Sequence, residues 1–159
     1  MGVLQNKHLI GLEHTPSDDI KKIIDTGFTF REVLDRPIKK VPSLTGKNIV
    51  NIFFENSTRT RISFELAEKR LSADITNFSS SSSSVNKGEG LKDTIQNIHA
   101  MKMDCVVMRH PVPGSCLHIS QFIDSIVINA GDGTHEHPTQ ALLDMMSLWE
   151  RFEKFKGLN

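Results

Sequence analysis

Apolar positions change period repeatedly along the chain. Ile20, Ile23 and Ile24 stand at helical spacing behind Ser17, a side chain suited to a helix N-cap. Asp18 and Asp19 follow, where negative charge favours the positive end of a helix. The spacing predicts a helix over 17–26, interrupted at Gly27 and resumed over 30–34, before Pro37 and Pro42 mark a connector. The β-branched and aromatic run 48–54 predicts a strand. Ile62, Leu66 and Leu71 recur at helical spacing with Glu65, Glu68, Lys69 and Arg70 between them, predicting an amphipathic helix over 59–71. Residues 74–78 read as a second strand, and 79–84 are six consecutive serines. Leu91, Ile95, Ile98 and Met101 define another helix, and 104–108 a third strand. A short helix over 115–123 and a fourth strand over 125–129 come next. Pro138 suits the first turn of a last helix with Leu142, Met145, Trp149 and Phe152 on one face.

This alternation predicts one α/β domain spanning 1–159, a doubly wound parallel sheet of about four strands with helices on both faces. The strands are near-continuous apolar runs, as strands buried on both sides are. In such sheets ligands bind outside the carboxyl ends of the strands. Strand one is followed by 55–61, rich in hydroxyls and guanidinium groups. Strand three is followed by Arg109, His110 and Pro111, and strand four by 130–140, which carries His135, His137, Thr139 and Gln140. Three loops thus bring polar chemistry to one edge of the sheet.

Composition narrows the ligand. Nineteen basic residues balance nineteen acidic ones, so bulk charge predicts no nucleic-acid or membrane partner, and an anion site must be local. No apolar run follows Met1 and none reaches the length of a membrane span, so a cytoplasmic protein without a signal peptide is expected. Cys105 and Cys116 form no disulfide framework and no metal-ligand spacing, and Cys105 lies in an apolar run that suits the core.

The segment 57–61 leads directly into a helix, whose first N–H groups are unpaired and carry partial positive charge. A phosphate suits such a place. Ser57, Thr58 and Thr60 add hydroxyls, and Arg59 adds a planar fork that can grip phosphate oxygens in pairs. Spacing alone favours the plainer reading, a capped helix with solvent-facing arginines. The segment is not a P-loop, since its glycines and Gly-Lys-Ser/Thr ending are missing. His135-Glu136-His137 allows two metal ligands but no third at metal spacing, so no metal is expected. The plain alternative for His137 is a helix cap or a satisfied core histidine, and for the serine run a polar linker.

Together these residues resemble a known family, the carbamoyltransferases. The run Phe53-Phe54-Glu55-Asn56-Ser57-Thr58-Arg59-Thr60-Arg61-Ile62-Ser63-Phe64-Glu65 resembles their carbamoyl-phosphate motif. His137-Pro138-Thr139-Gln140 with Leu142 to Asp144, and Met108-Arg109-His110-Pro111, resemble two further motifs in the same order. Ser83-Ser84-Val85-Asn86-Lys87-Gly88-Glu89 with Asp93-Thr94, and Asn129 to Gly133, are similar to the aspartate-using branch. The resemblance implies transfer of the carbamoyl group of carbamoyl phosphate to the α-amine of L-aspartate, giving N-carbamoyl-L-aspartate and phosphate for pyrimidine synthesis. It implies that Ser57, Thr58, Arg59 and Thr60 hold the phosphate, and that Thr60, Arg109 and His137 surround the carbonyl oxygen. Gln140 would fix the carbamoyl amide, and Glu55 would tie two domains together. Ser83 and Lys87 would reach the site of a neighbouring subunit in a homotrimer, an assembly that in the family also admits regulatory subunits. No metal or organic cofactor is implied.

The aspartate-binding domain of the family is expected to lie outside this chain, which alone should bind carbamoyl phosphate without turning over aspartate. Two alternatives stay open on the sequence. One is an ornithine carbamoyltransferase, which shares the same first-domain chemistry. The other is a phosphate- or carbamoyl-phosphate-binding module without turnover.

Overall fold

The computed structural model describes residues 4–79 and 91–157. Four strands, β1 (Asn48–Phe53), β2 (Asp74–Ser79), β3 (Cys105–His110) and β4 (Ile126–Asp132), form one sheet in the order β2-β1-β3-β4. Every pairing is parallel. Chain order and spatial order therefore diverge at β1, and the connections leave it toward opposite edges. Right-handed crossovers then place α2 (Thr58–Arg70) on one face, and α3 (Leu91–Ala100) and α4 (Ser115–Ser120) on the other. The two faces bury separate cores. Val50, Ile52, Val106, Met108 and Val127 pack with Ile95, Ile98, Cys116 and Ile119. Ile49, Phe53, Cys105, Val107 and Ala130 pack on the opposite side with Phe64 of α2. This is the expected doubly wound α/β arrangement.

Several local expectations are corrected. Helix α1 (Ser17–Arg31) starts with Pro16 rather than Ser17 at the N-cap position and makes no side-chain capping bond. It runs through Gly27 without interruption and passes into a 3-10 turn, Glu32–Asp35. A Cβ at Gly27 would lie 2.8 Å from Met146 Sδ, so the glycine allows α1 to approach α5 (Pro138–Phe152) closely. Asp19 does more than favour a helix end. It is buried and accepts from the Gln5 N–H at 2.7 Å and from Lys22 Nζ at 3.0 Å. Helix α3 ends at Ala100, leaving Met101 exposed beyond it. Strand β3 begins at Cys105 and includes Arg109 and His110, while β4 continues to Asp132, three residues beyond its expected end.

Helix α2 departs most from its pattern. Ile62 and Leu66 face outward, 53% and 43% exposed, while Glu68 is 4% exposed. The reason lies on the sheet. Asn51 sits in the middle of β1 on the face that α2 covers, and its Nδ2 donates to Glu68 Oε2 at 2.8 Å and to Asn77 Oδ1 at 3.2 Å. Phe64 and Glu68 thus form the inward face that the apolar count alone assigns elsewhere. Glu68 Oε1 and Asn51 Oδ1 are buried without a hydrogen-bond partner among the described residues.

The N-terminal segment braces the far edge of the sheet. Leu9 donates to the Val127 carbonyl, Asn129 N–H returns a bond to the Leu9 carbonyl, and Val127 N–H donates to His8 Nδ1. The segment ahead of α1 therefore supplies edge pairing to β4.

Burial pushes the Glu68 carboxyl above the usual glutamate range, and the bond from Asn51 only partly opposes it. The folded state thus holds this proton more firmly than the unfolded chain does. The resulting stabilisation is full below the ordinary glutamate value and is lost as pH rises through the folded-state value. Glu68→Gln keeps the shape without the charge. Its urea midpoint should exceed the parent's at about pH 7.5, and the gap should close toward about pH 4.5. A constant gap across that range would contradict a proton held on Glu68.

Candidate active site

The polar residues singled out in the sequence converge where the strand order reverses. Ser57 occupies the N-cap of α2 in an extended conformation but caps nothing with its side chain. Its Oγ instead donates to Thr60 Oγ1 at 2.9 Å. The Arg61 N–H is the first to bond back, to the Ser57 carbonyl at 3.1 Å. The preceding amides of the first turn have no side-chain cap, and no acidic residue lies in that turn. An anion would meet aligned N–H donors there without a competing carboxylate.

Arg109 comes from the end of β3 and is partly buried. Its Nη1 donates to the Ala130 carbonyl at 3.0 Å, and its Nη2 stands 3.4 Å from Glu55 Oε2. The Nε is buried without a hydrogen-bond partner among the described residues. Glu55, expected to join two domains, is here the counter-ion of Arg109. The pairing follows from the sheet, because Phe54 N–H donates to the Arg109 carbonyl and brings the ends of β1 and β3 together.

The third contributor is β4. Its register against β3 slips between Met108 and His110, so that Met108 faces Asn129 while His110 faces Asp132. One extra residue is thereby inserted in β4, a β-bulge at the rim of the sheet. Gly131 sits in that bulge with φ +112°. A Cβ there would overlap Arg109 Nη1 and lie 3.6 Å from His137 Cδ2, so the missing side chain is what lets Arg109 cross the turn. His137 then stands at the N-cap position of α5, with Pro138 at the first helical position. Its Nδ1 lies 3.3 Å from Thr139 Oγ1. Burial, then the Arg109 charge, lower its pKa below the ordinary histidine value, with Asp144 acting weakly the other way. The imidazole is therefore neutral near pH 7, and bringing pH down through the usual histidine range costs stability.

Ser57, Arg59, Thr60, Arg109, His137 and Gln140 line one cleft of about 680 Å³. Gln140 Nε2 donates to Asp144 Oδ1 at 2.9 Å, which fixes the amide on the first turns of α5. Thr58 is at the first helical position of α2 but is exposed and does not line the cleft. Ser83 and Lys87 lie outside the described residues. His135, Glu136 and His137 diverge: His135 Nδ1 meets Asp132, Glu136 Oε2 accepts from the Leu12 N–H, and His137 enters the cleft. Among the described residues no group of three or more His, Cys, Asp or Glu side chains is arranged to hold a metal ion.

Sequence spacing gave no hint of the Glu55–Arg109 pair or of the bulge. Only Gly131, a glycine between Ala130 and Asp132 at a strand end, carried a signal for the latter. Gly131→Ala should displace the guanidinium from the Ala130 carbonyl. Affinity for carbamoyl phosphate, the ligand expected from the sequence resemblance, should fall by at least about tenfold, read by calorimetry. Unchanged affinity would mean that Arg109 is not held in place by that contact.

Comparison with known proteins agrees with the geometry. Residues 7–150 match the family model described as aspartate/ornithine carbamoyltransferase, carbamoyl-P binding domain. The aspartate carbamoyltransferase catalytic subunit of Christiangramia forsetii is 59% identical over 150 residues, covering 94% of this chain and 48% of that protein. Its counterpart in Cytophaga hutchinsonii is 57% identical over 157 residues, covering 99% of this chain and 51% of that protein. Aspartate transcarbamoylase from Trypanosoma cruzi, solved with carbamoyl aspartate and phosphate, superposes with a TM-score of 0.89 at 33% identity, over 98% of this chain and 48% of that one. The chain spans about half the length of the curated relatives it matches. A catalytic subunit of M. jannaschii aspartate transcarbamoylase superposes with a TM-score of 0.83 at 39% identity, over 94% of this chain and 48% of that one. Fold, strand-end motifs and these relationships lead to one assignment: the chain belongs to the aspartate/ornithine carbamoyltransferase family, in its carbamoyl-phosphate-binding domain.

Proposed function

We propose that the chain is the carbamoyl-phosphate-binding half of an aspartate carbamoyltransferase. The observation that carries this reading is the shared cleft, in which a helix start with Ser57, Arg59 and Thr60 faces Arg109, His137 and Gln140. The aspartate branch is favoured over the ornithine branch by the relatives above, which bear the aspartate name at more than half identity.

The phosphate would lie on the first turn of α2, held by its amides, by Ser57 and Thr60, and by the fork of Arg59. The first position of that turn leaves Thr58 to contribute its backbone N–H rather than its exposed side chain. The carbamoyl oxygen would point toward Arg109, Thr60 and His137, and the carbamoyl amide toward Gln140. The α-amine of L-aspartate attacks the carbonyl carbon, and negative charge grows on the carbonyl oxygen. Donors already in place around that oxygen stabilise the charge where it develops. A neutral His137 fits this role, since it donates without adding a second full charge beside Arg109. The bond from the carbonyl carbon to the phosphate oxygen then breaks, phosphate leaves with the electron pair, and a phosphate oxygen takes the amine proton. The reaction forms no covalent bond to the protein and calls on no metal or organic cofactor. Much of the rate would come from holding the two reactants in line.

Arg109 must exchange Glu55 for the substrate in this scheme, so Glu55 keeps the guanidinium ordered until the ligand arrives. The working unit would be a cytoplasmic homotrimer in pyrimidine synthesis, with Ser83 and Lys87 contributed to a neighbouring site and regulatory subunits as further partners. Aspartate would be bound by the second domain of the family, so turnover belongs to the longer protein.

Loss of one charge-assisted contact costs on the order of 1.5–3 kcal/mol. Arg59→Ala should therefore weaken carbamoyl phosphate binding by at least about tenfold in calorimetric titration of this chain. Equal affinities of parent and variant would remove the phosphate site from α2.

A further inference from the structure

We propose that Asp132, together with Asn129, is a positioning residue that aims Arg109 and His137 at one point of the cleft. The inference rests on the reading of the cleft as a carbamoyl phosphate site. Neither residue lines that cleft; both lie beneath the turn that joins β4 to α5.

Asp132 is fully buried, yet no lysine or arginine pairs with it among the described contacts. Its carboxylate is instead surrounded by donors from separate parts of the chain. Gly114 N–H, ahead of α4, donates to Oδ2 at 2.8 Å. Asn129 Nδ2 donates to Oδ1 at 2.8 Å, and Glu136 N–H donates to the same oxygen at 3.2 Å. His135 Nδ1 stands 3.0 Å from Oδ1 and 3.1 Å from Oδ2. Burial alone would push the carboxyl up, but these donors outweigh it and hold it below the usual aspartate range. The group stays an anion at neutral pH, and every donor around it is oriented by it.

Asn129 completes the arrangement. Its Oδ1 accepts from the Gly131 N–H at 2.8 Å, inside the bulge where strand pairing is broken. Its Nδ2 also reaches the Ile10 carbonyl at 2.8 Å and the Glu136 carbonyl at 3.3 Å. The two side chains thus replace the ladder bonds that the bulge removes. What they fix is specific. Between them lie Ala130, whose carbonyl holds Arg109, and Gly131, over which the guanidinium passes. Immediately after Glu136 comes His137, at the start of α5. The phosphate donors on α2 belong to another strand end and do not touch this network.

That separation supplies the test. Asp132→Asn preserves shape but turns an N–H group toward donors that need an acceptor. In calorimetric titrations of the 159-residue chain, inorganic phosphate should bind within about twofold of the parent. The preference for carbamoyl phosphate over phosphate should drop by at least about fivefold. His135→Ala, which removes one partly exposed donor, is the milder variant and should lower that preference by about threefold. If Asp132→Asn does not fold, the His135→Ala ratio decides. An unchanged preference in the folded variants overturns the positioning role, and so does an equal loss of affinity for both anions, which would mean general loosening. A parent chain with no preference for carbamoyl phosphate over phosphate would overturn the cleft assignment itself, and the positioning role with it.

Discussion

Parallel pairing of β1 with both β2 and β3 is the constraint on which the rest depends. Because β1 is flanked by strands reached in opposite directions, the connections diverge and leave a crevice at its carboxyl end. Both faces of the sheet are buried, so solvent-accessible polar chemistry gathers at strand ends, where loops meet water. The cleft forms there from three elements that are distant in sequence. Ser57 follows β1, Arg109 ends β3, and His137 follows β4. Short range geometry then refines the placement: the β4 bulge and Gly131 open the path by which Arg109 reaches across its neighbour.

Electrostatics follow the same division. The chain carries no net charge, and its long-range field offers an anion little attraction. Local donors do the selecting. The start of α2 offers amides and hydroxyls without an acidic competitor, while Arg109 is kept beside Glu55 and the Ala130 carbonyl. His137, its proton affinity lowered by burial and by Arg109, is a neutral donor in a region that already holds a full positive charge. A site of this composition suits a substrate with a dianionic end and a polar, uncharged carbonyl end.

Most of this architecture was legible in the sequence, and the failures have physical causes. The four strands and their order with the helices follow from apolar runs and turn residues, and the strand-end motifs located the cleft. The orientation of α2 did not follow, because Asn51 draws Glu68 inward and leaves Ile62 and Leu66 outside, a tertiary preference that no single-helix pattern contains. Gly27 looked like a breaker because glycine is a poor helix former, but close packing against Met146 makes its lack of a side chain useful. Thr58, grouped with its hydroxyl neighbours by adjacency, is exposed at the first position of α2 and is not among the residues that line the cleft. The role of Glu55 in pairing Arg109 was hidden because the two residues are far apart in sequence and meet only through the β1–β3 register. Asp132 was invisible as a hub, since two of its four donors are backbone amides, of Gly114 and Glu136, brought to it by folding.

The central claim is that three strand ends already form one carbamoyl phosphate site in this chain. The most direct measurement is a map of backbone and side-chain NMR shifts during titration with carbamoyl phosphate. The account predicts that the largest changes fall together, with one binding curve, on 57–61, on the Arg109 guanidinium and on 130–140. Changes confined to the polar pocket bounded by Gln5, His14 and His135, or separate curves for the α2 start and the β4–α5 turn, would contradict it.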